Sequence, residues 1–366
     1  MISLKQADTG TIDQALAELL EEVAFSPEKG RGIFIKPNVV IGTRDAGIIT
    51  APRVVEALLK YFSGYTITIG ERSAVGVSTT EALERSGYGE LARRYGAELV
   101  DLSRAPRTGV TWERGTLQLP EVLFENTYIN VAKLKTHFLT TVSLCAKNQK
   151  GLLSVKDAKK FHFIGIDQAI CDLGKAIKPD LNIIDGIQAL EGNGPTTFGK
   201  TKKVGVLLAG DDLFQIDSAA CTLMGIDPRS VKHLVPQEMP DNVCDRLTSF
   251  SSPFLKPSLE NCLTVETVHF HNIRNCCSGC ILAIDNGINW LMSEEKELWL
   301  QLLKKLSMES YNIYLGVGNN LARAGELANL RAFGSCSAHF ARQNNLPCIK
   351  GCPPSPKEIL HLFELG

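Results

Sequence analysis

Short apolar stretches alternate with segments of helical spacing through most of this chain, and that alternation limits the folds open to it. Leu16, Leu19, Leu20 and Val23 fall on one helical face, residues 32–35 read as a strand, residues 54–62 as a helix and residues 66–69 as a strand again. Further strands are expected at residues 128–132, 181–184 and 204–208. Strands separated by helices return to one sheet through crossovers, so the pattern predicts an α/β domain with a mainly parallel sheet. Residues 311–316 and 330–334 read as strands of a second, smaller region, with helical spacing at 281–291 and 357–362. Between the two regions, the polar and proline-containing run from Ser251 to Pro257 breaks the alternation. The expected domains are therefore 1–252 and 258–366.

A chain of 366 residues has room for two such domains, and 44% hydrophobic with 22% charged residues is the balance of a soluble globular protein. No apolar run is long enough to suggest a membrane span. The formal net charge of −1 gives no overall attraction to nucleic acid, so any basic site must be local. Eleven cysteines is an odd count, and Met1-Ile2-Ser3-Leu4-Lys5-Gln6 does not read as a secretory leader. A reduced, cytoplasmic protein is the expectation.

Six cysteines crowd the last quarter: Cys276-Cys277-Ser278-Gly279-Cys280, Gly334-Ser335-Cys336, Cys348 and Gly351-Cys352-Pro353-Pro354. Thiolates bind soft metal ions, and a Cys-x-x-Cys pair places two sulfurs on one turn. Zinc is one reading, although zinc sites usually show a second close pair, whereas Cys336 and Cys352 stand far apart in separate glycine-containing turns. An iron–sulfur cluster is the other. Cys145, Cys171, Cys221, Cys244 and Cys262 lie mostly among apolar residues and are expected to be small buried hydrophobes.

The first region carries polar residues where its strands are expected to end. Lys36-Pro37-Asn38 follows one strand; Lys133, Lys135, Thr136 and His137 follow another; Lys147-Asn148-Gln149-Lys150-Gly151 lies just beyond. Ammonium groups converging on one cleft bind phosphate or carboxylate, although a single lysine more often just solvates a loop. Asp185-Gly186 ends a further strand, Glu191-Gly192-Asn193-Gly194-Pro195 reads as a loop, and Asp217 is expected to begin a helix. Asp217 there could simply favour the helix dipole, Glu191 could face solvent, and His162 could be a packed side chain rather than a proton carrier.

Other signatures are missing. There is no Gly-x-x-x-x-Gly-Lys-[Ser/Thr] loop, Gly-x-Ser-x-Gly elbow or His-Glu-x-x-His helix. Gly316-Val317-Gly318 follows a strand, but Leu321 occupies the third glycine position of a dinucleotide fingerprint.

Two resemblances emerge from these residues. Cys-x-Gly-Cys, Gly-Ser-Cys and Gly-Cys-Pro-Pro, over about residues 265–366, resemble the small subunit of nickel-iron hydrogenases and the related complex I subunit that carries the terminal cluster. That resemblance implies a smaller flavodoxin-like α/β iron–sulfur domain in which Cys277, Cys280, Cys336 and Cys352 hold a 4Fe-4S cluster. Cys276 is a possible substitute ligand, and Cys348 has no counterpart. Ile35-Lys36-Pro37-Asn38, Lys133-Leu134-Lys135-Thr136-His137, Lys147 through Gly151, Asp185-Gly186, Glu191 through Pro195 and Asp217 are together similar to family 362 of the domains of unknown function, over about residues 30–235. Many members of that family are joined to an iron–sulfur module, often a ferredoxin-like one. This chain departs from that pattern, because it has no Cys-x-x-Cys-x-x-Cys-x-x-x-Cys-Pro run.

The functional expectation is an iron–sulfur oxidoreductase that reduces a small anionic substrate with electrons passed through the cluster from a redox partner such as a ferredoxin. Lys36, Asn38, Lys133, Lys135, Lys147 and Asn193 would bind the substrate; His137 or His162 would transfer protons; Glu191 and Asp217 would position the substrate or a hard metal ion. The alternative is an electron-transfer or metallocluster-assembly protein with no substrate of its own. A third possibility keeps the anion chemistry and leaves the cluster structural.

Overall fold

The computed structural model describes residues 1–239, 241–257, 267–276, 278–319, 321 and 324–365, leaving aside the side chains of His162, Phe163, Arg274, Ser278 and Asn289. The chain divides into two compact units, Met1–Ser258 and Leu259–Gly366.

Among the described residues, ten strands belong to the first unit: β1 (Ile2–Gln6), β2 (Gly32–Lys36), β3 (Ile67–Glu71), β4 (Glu98–Asp101), β5 (Arg107–Trp112), β6 (Gly115–Pro120), β7 (Asn126–His137), β8 (Thr141–Ser143), β9 (Leu181–Gly192) and β10 (Gly199–Gly210). Eight form one sheet in the order β1-β10-β9-β7-β2-β3-β4, with β8 also paired to β7. Strands β9, β7, β2, β3 and β4 run parallel, while β10, β1 and β8 are antiparallel to their neighbours. The antiparallel β9–β10 pair follows from chain length, because the six residues from Asn193 to Phe198 are too few for a crossover. β5 and β6 form a separate hairpin.

Both faces of the parallel strands are covered, which explains their nearly unbroken apolar sequences. Ile33, Ile35, Ile129 and Val131 pack on one side with Leu16 and Leu19 of the helix Ile12–Glu22 and Val54 and Leu58 of the helix Pro52–Tyr61. On the other side Phe34 stacks on Tyr128, ring centroids 5.5 Å apart, above Phe161, Ala169 and Leu173.

Sequence spacing placed the ends of β7 and β9 too early. β7 continues through Lys133, Lys135 and His137 because β9 and then β8 remain available to pair with it, with a register shift between Lys133 and Lys135. β9 likewise extends through Glu191 and Gly192, where a loop was expected. Asp217 lies in the second turn of the helix Leu213–Leu223, whose N-cap is Asp212, accepting from the Phe214 and Gln215 N–H groups.

In the second unit, β11 (Val268–His271), β12 (Tyr311–Leu315), β13 (Leu330–Phe333) and β14 (Cys348–Ile349) form a parallel sheet in chain order. Helices Ser278–Glu294 and Lys296–Met308 link the first two strands, and Ala338–Gln343 lies between the last two. Tyr314 stacks on Phe340, and Tyr311 meets Phe363 of the terminal helix Ile359–Phe363 edge-on. No described helix is long and apolar enough to cross a membrane.

Candidate functional site

The strand order of the first sheet reverses between β2 and β7: from β2 the chain moves out to β3 and β4, then returns to place β7 on the other side. Open parallel sheets bind ligands in the crevice beyond the strand ends at such a reversal. Lys36-Pro37-Asn38 leaves β2 there, and β7 ends there with Lys133, Lys135 and His137.

One hydrogen-bonded chain joins these segments. The Lys36 ammonium, wholly buried, donates to Glu71 at 3.0 Å, to Asn148 Oδ1 at 3.3 Å and to the Pro37 carbonyl at 3.2 Å. Asn148 Oδ1 also accepts from Asn38 Nδ2 at 3.0 Å, and Asn38 Oδ1 accepts from the Lys135 ammonium at 2.6 Å. Asn148 Nδ2 donates to Asn130 Oδ1, the residue opposite Lys36 in the β2–β7 register. Gly151 lets the backbone approach this chain, because a Cβ there would meet Lys36 Nζ at 2.6 Å. The Lys147–Gly151 motif thus has a packing reason for its last residue.

The lysines divide by their partners. Lys133 forms a buried ion pair with Asp185 across the β7–β9 register at 2.9 Å, and Asp185 also accepts from the Ala51 and Ile187 N–H groups. Lys135, two residues on, donates among the described residues only to neutral oxygens: Asn38 Oδ1, the Ile48 carbonyl at 2.8 Å and the Pro195 carbonyl at 3.4 Å. Burial and the neighbouring Lys133 lower the Lys135 pKa to about 7. Burial also lowers the Lys36 and Lys133 pKa values, against the opposing pull of Glu71 and Asp185. Lys147, half-buried, is pushed well below the usual lysine range by burial and by Lys150 and Lys135.

His137 is buried, stacks on Phe138 and accepts the Leu139 N–H through Nδ1. Burial and then Lys147, Lys150 and Lys135 hold its pKa well below the usual histidine value, so it stays neutral at pH 7. Asp217 reaches the short helix Cys145–Asn148, where its two oxygens accept the Cys145 and Ala146 N–H groups at 2.8 Å each. Its burial raises the pKa to about 7. Asp217 therefore anchors the segment that carries Lys147 and Asn148. Glu191 is engaged elsewhere, with the Lys202 ammonium at 3.2 Å and the Leu255 N–H at 3.0 Å. Asn193 is half-buried in the loop after Glu191 and Gly192; that loop is tied to β7 where the Phe138 N–H donates to the Gly194 carbonyl. His162 lies on the helix Val155–Ile164, with its side chain outside the described residues.

Sequence reading missed Glu71 and His233. A charge ending the buried strand Ile67-Thr68-Ile69-Gly70 was the available signal for Glu71. His233 sits in Val231-Lys232-His233-Leu234, a local pattern that carries no such signal. A cavity of about 350 Å3 lies near Arg44, Pro52 and Arg94, and no switch-point lysine lines it. Arg53 and Arg94 there are paired with Glu56 and Glu90.

In the second unit Cys276, Cys336 and Cys352 stand in turns after strands, Cys280 lies in the first turn of the helix Ser278–Glu294, and Cys348 opens β14. Cys276 and Cys280 are buried; Cys336, Cys348 and Cys352 are half-buried. Gly316, after β12, abuts the Asn275–Cys276 backbone, and the Val317 N–H donates to the Asn275 carbonyl. Gly334, after β13, faces the Cys280 thiol: a Cβ there would lie 2.6 Å from Sγ. Ser335 and Gly351 tie the remaining turns, with Ser335 N–H to the Gly351 carbonyl at 2.7 Å and Gly351 N–H to Ser335 Oγ at 3.0 Å. The turns bearing Cys336 and Cys352 are thus adjacent, and the Cys348 thiol lies 4.0 Å from the Gly334 carbonyl. Cys277 and Cys262 lie outside the described residues. Among the described residues, no three His, Cys, Asp or Glu side chains stand together closely enough to hold a metal ion.

The model of a family described as a domain of unknown function, DUF362, matches residues 33–222. The match contains Lys36, Lys133, Lys135, Lys147, Asp185 and Asp217 and ends before the second unit. A protein of Synechocystis sp. named as thylakoid-associated is 30% identical over 244 residues, covering 63% of this chain and 75% of its own length.

Proposed function

The chain belongs to the DUF362 family of domains of unknown function, and from that premise we propose an iron–sulfur protein that reduces a small anionic substrate held at the switch point of the first unit, using electrons passed through a 4Fe-4S cluster in the second. The observation that carries the substrate half is Lys135. A buried ammonium hydrogen-bonded only to neutral oxygens is an uncompensated charge, and an anion supplies what Asp185 supplies to Lys133. Anion binding would return the Lys135 pKa toward its ordinary value and draw a proton onto the side chain. Asn38, hydrogen-bonded to both Lys135 and Asn148, would hold the two sides of the crevice in register, and Lys147 would add a second cation at its margin.

The cluster half rests on the donor set: Cys336 and Cys352 in glycine-containing turns after strands of a parallel sheet, Cys280 at the start of the helix Ser278–Glu294, and Cys277 or Cys276 as fourth ligand. A flavodoxin-like kinship of this unit rests on the same motifs. A bound cluster would supply electrons one at a time. The chain's own part is to hold thiolates in turns that glycine lets approach closely.

The test is anaerobic purification of the full chain, iron and acid-labile sulfide determination, and electron paramagnetic resonance after reduction. About four irons and four sulfides per chain, with reoxidation by a small oxyanion or carboxylate from a panel, are the expected results. Zinc without sulfide overturns the cluster half. A full cluster that no anion reoxidises overturns the substrate half and leaves an electron-transfer or cluster-assembly protein.

A further inference from the structure

His233 is the buried titratable group that the lysine network leaves unexplained. It follows the short turn Pro228–Ser230, and its neighbours Val231 and Leu234 pack into the core that includes Leu144, Cys145, Ala146 and Ile170. The side chain is wholly buried. Its Nδ1 lies 3.1 Å from Oδ1 of Asp167, in the first turn of the helix Ile166–Ala176. Its Nε2 has no hydrogen-bond partner among the described residues. Buried polar atoms are nearly always satisfied, so an orphaned ring nitrogen marks a place for something the protein itself does not supply.

The groups around that nitrogen indicate what it would be. His233 lies close enough to Lys147 and His137 for their charges to interact. The Lys147 ammonium donates to no acceptor among the described residues, and Lys135 and Lys150 stand near enough to lower its pKa. With Asp167 accepting from Nδ1–H, the neutral imidazole keeps a lone pair at the buried Nε2. A proton acceptor held in one orientation by a carboxylate thus lies near the Lys147 cation. We infer that Asp167 and His233 form a dyad whose Nε2 takes a hydrogen bond from a protonated oxyanion of the phosphate class, with Lys147 carrying its negative charge. The ligand's P–OH proton lies between its oxygen and Nε2, and full transfer gives an imidazolium paired with Asp167 and a ligand one unit more negative. No bond other than O–H changes. This inference rests on the anion-binding half of the proposed function and goes beyond it by naming the proton-bearing ligand class and the group that reads the proton.

Phosphate and sulfate separate the idea from simple charge attraction, since they match in size and only phosphate keeps a proton near neutral pH. Isothermal titration of the full chain at pH 7.5 with each ion is the experiment. Wild-type protein is expected to bind phosphate about tenfold more tightly than sulfate, the effect of one hydrogen bond in a charged site. His233→Phe should lose that preference while keeping weak binding of both ions. Lys147→Met should weaken both equally, and Asp167→Asn, which leaves the ring in place, should reduce the preference without removing sulfate binding. A phosphate preference that persists in His233→Phe overturns the inference, and equal binding of the two ions by wild-type protein overturns it as well. Wild-type protein that binds neither ion brings down the anion-binding reading with it.

Discussion

In the first unit the candidate lysines Lys133 and Lys135 lie inside a strand, whereas in the second Cys336 and Cys352 stand in turns that follow strands. Lys133 and Lys135 belong to β7 and are held by the Asp185 carboxylate, the Asn38 side-chain amide and the Ile48 and Pro195 carbonyls, from three other segments. The turns of Cys336 and Cys352 are tied to each other by hydrogen bonds between Ser335 and Gly351. The first arrangement joins function to stability, because each side chain there also satisfies a buried partner. The second separates them: a thiol in a turn can be lost with little effect on the sheet beneath it, while a metal site would lose a ligand.

The largest test of that contrast is Asp185→Ala. It leaves the Lys133 ammonium buried and unpaired and should reduce stability by about 3–5 kcal/mol, read as the urea midpoint. Cys336→Ala in metal-free protein should change stability by less than about 1 kcal/mol while removing most bound iron. Comparable destabilisation by the two substitutions would break the comparison.

Lys135→Met sharpens it, since this lysine is expected to spend stability on function. The folded-state pKa is about 7 against an ordinary 10.5, so between those values the unfolded chain binds more protons than the folded one. Lys135 therefore makes stability rise with pH across that window. The methionine variant should be about 2 kcal/mol more stable than wild type at pH 7, with the gain shrinking toward pH 10.5, and should bind anions more weakly. A loss of stability at pH 7 would show that the three neutral oxygens fully compensate the charge.

Gly334→Ala probes the turn side. Gly334 has φ +95°, and a Cβ would press on the Cys280 thiol. A destabilisation of about 1–2 kcal/mol is expected, together with reduced iron content, measured in one preparation. Smallest is Glu191→Gln, which weakens the Lys202 pair but keeps an acceptor for the Leu255 N–H. It should cost about 0.5 kcal/mol and leave anion binding unchanged; a large loss of binding would return Glu191 to the site.

Much of the fold was legible locally. The apolar runs at β2, β3, β7, β9, β12 and β13 are long enough and well enough separated by helical spacing to be read as strands, and the mainly parallel sheet followed from their alternation. β1 and the β5–β6 hairpin were missed because short edge strands with mixed polarity resemble loops. The lysine motifs were legible as residue types near strand ends, but not as strand residues, because pairing partners decide how far β7 extends. The cysteine turns were visible from their glycines.

The sequence by itself determined the alternation of the central strands with helices and the residue types near the ends of those strands, since these rest on near-neighbour spacing. Tertiary structure decided which ammonium meets a carboxylate and which does not. Lys36 reaches Glu71 and Asn148, 35 and 112 residues away, and Lys135 meets Ile48 and Pro195. Such partners follow from strand register and crossover, which bring distant segments within 3 Å or so, the range in which a buried charge is either compensated or left exposed to a ligand.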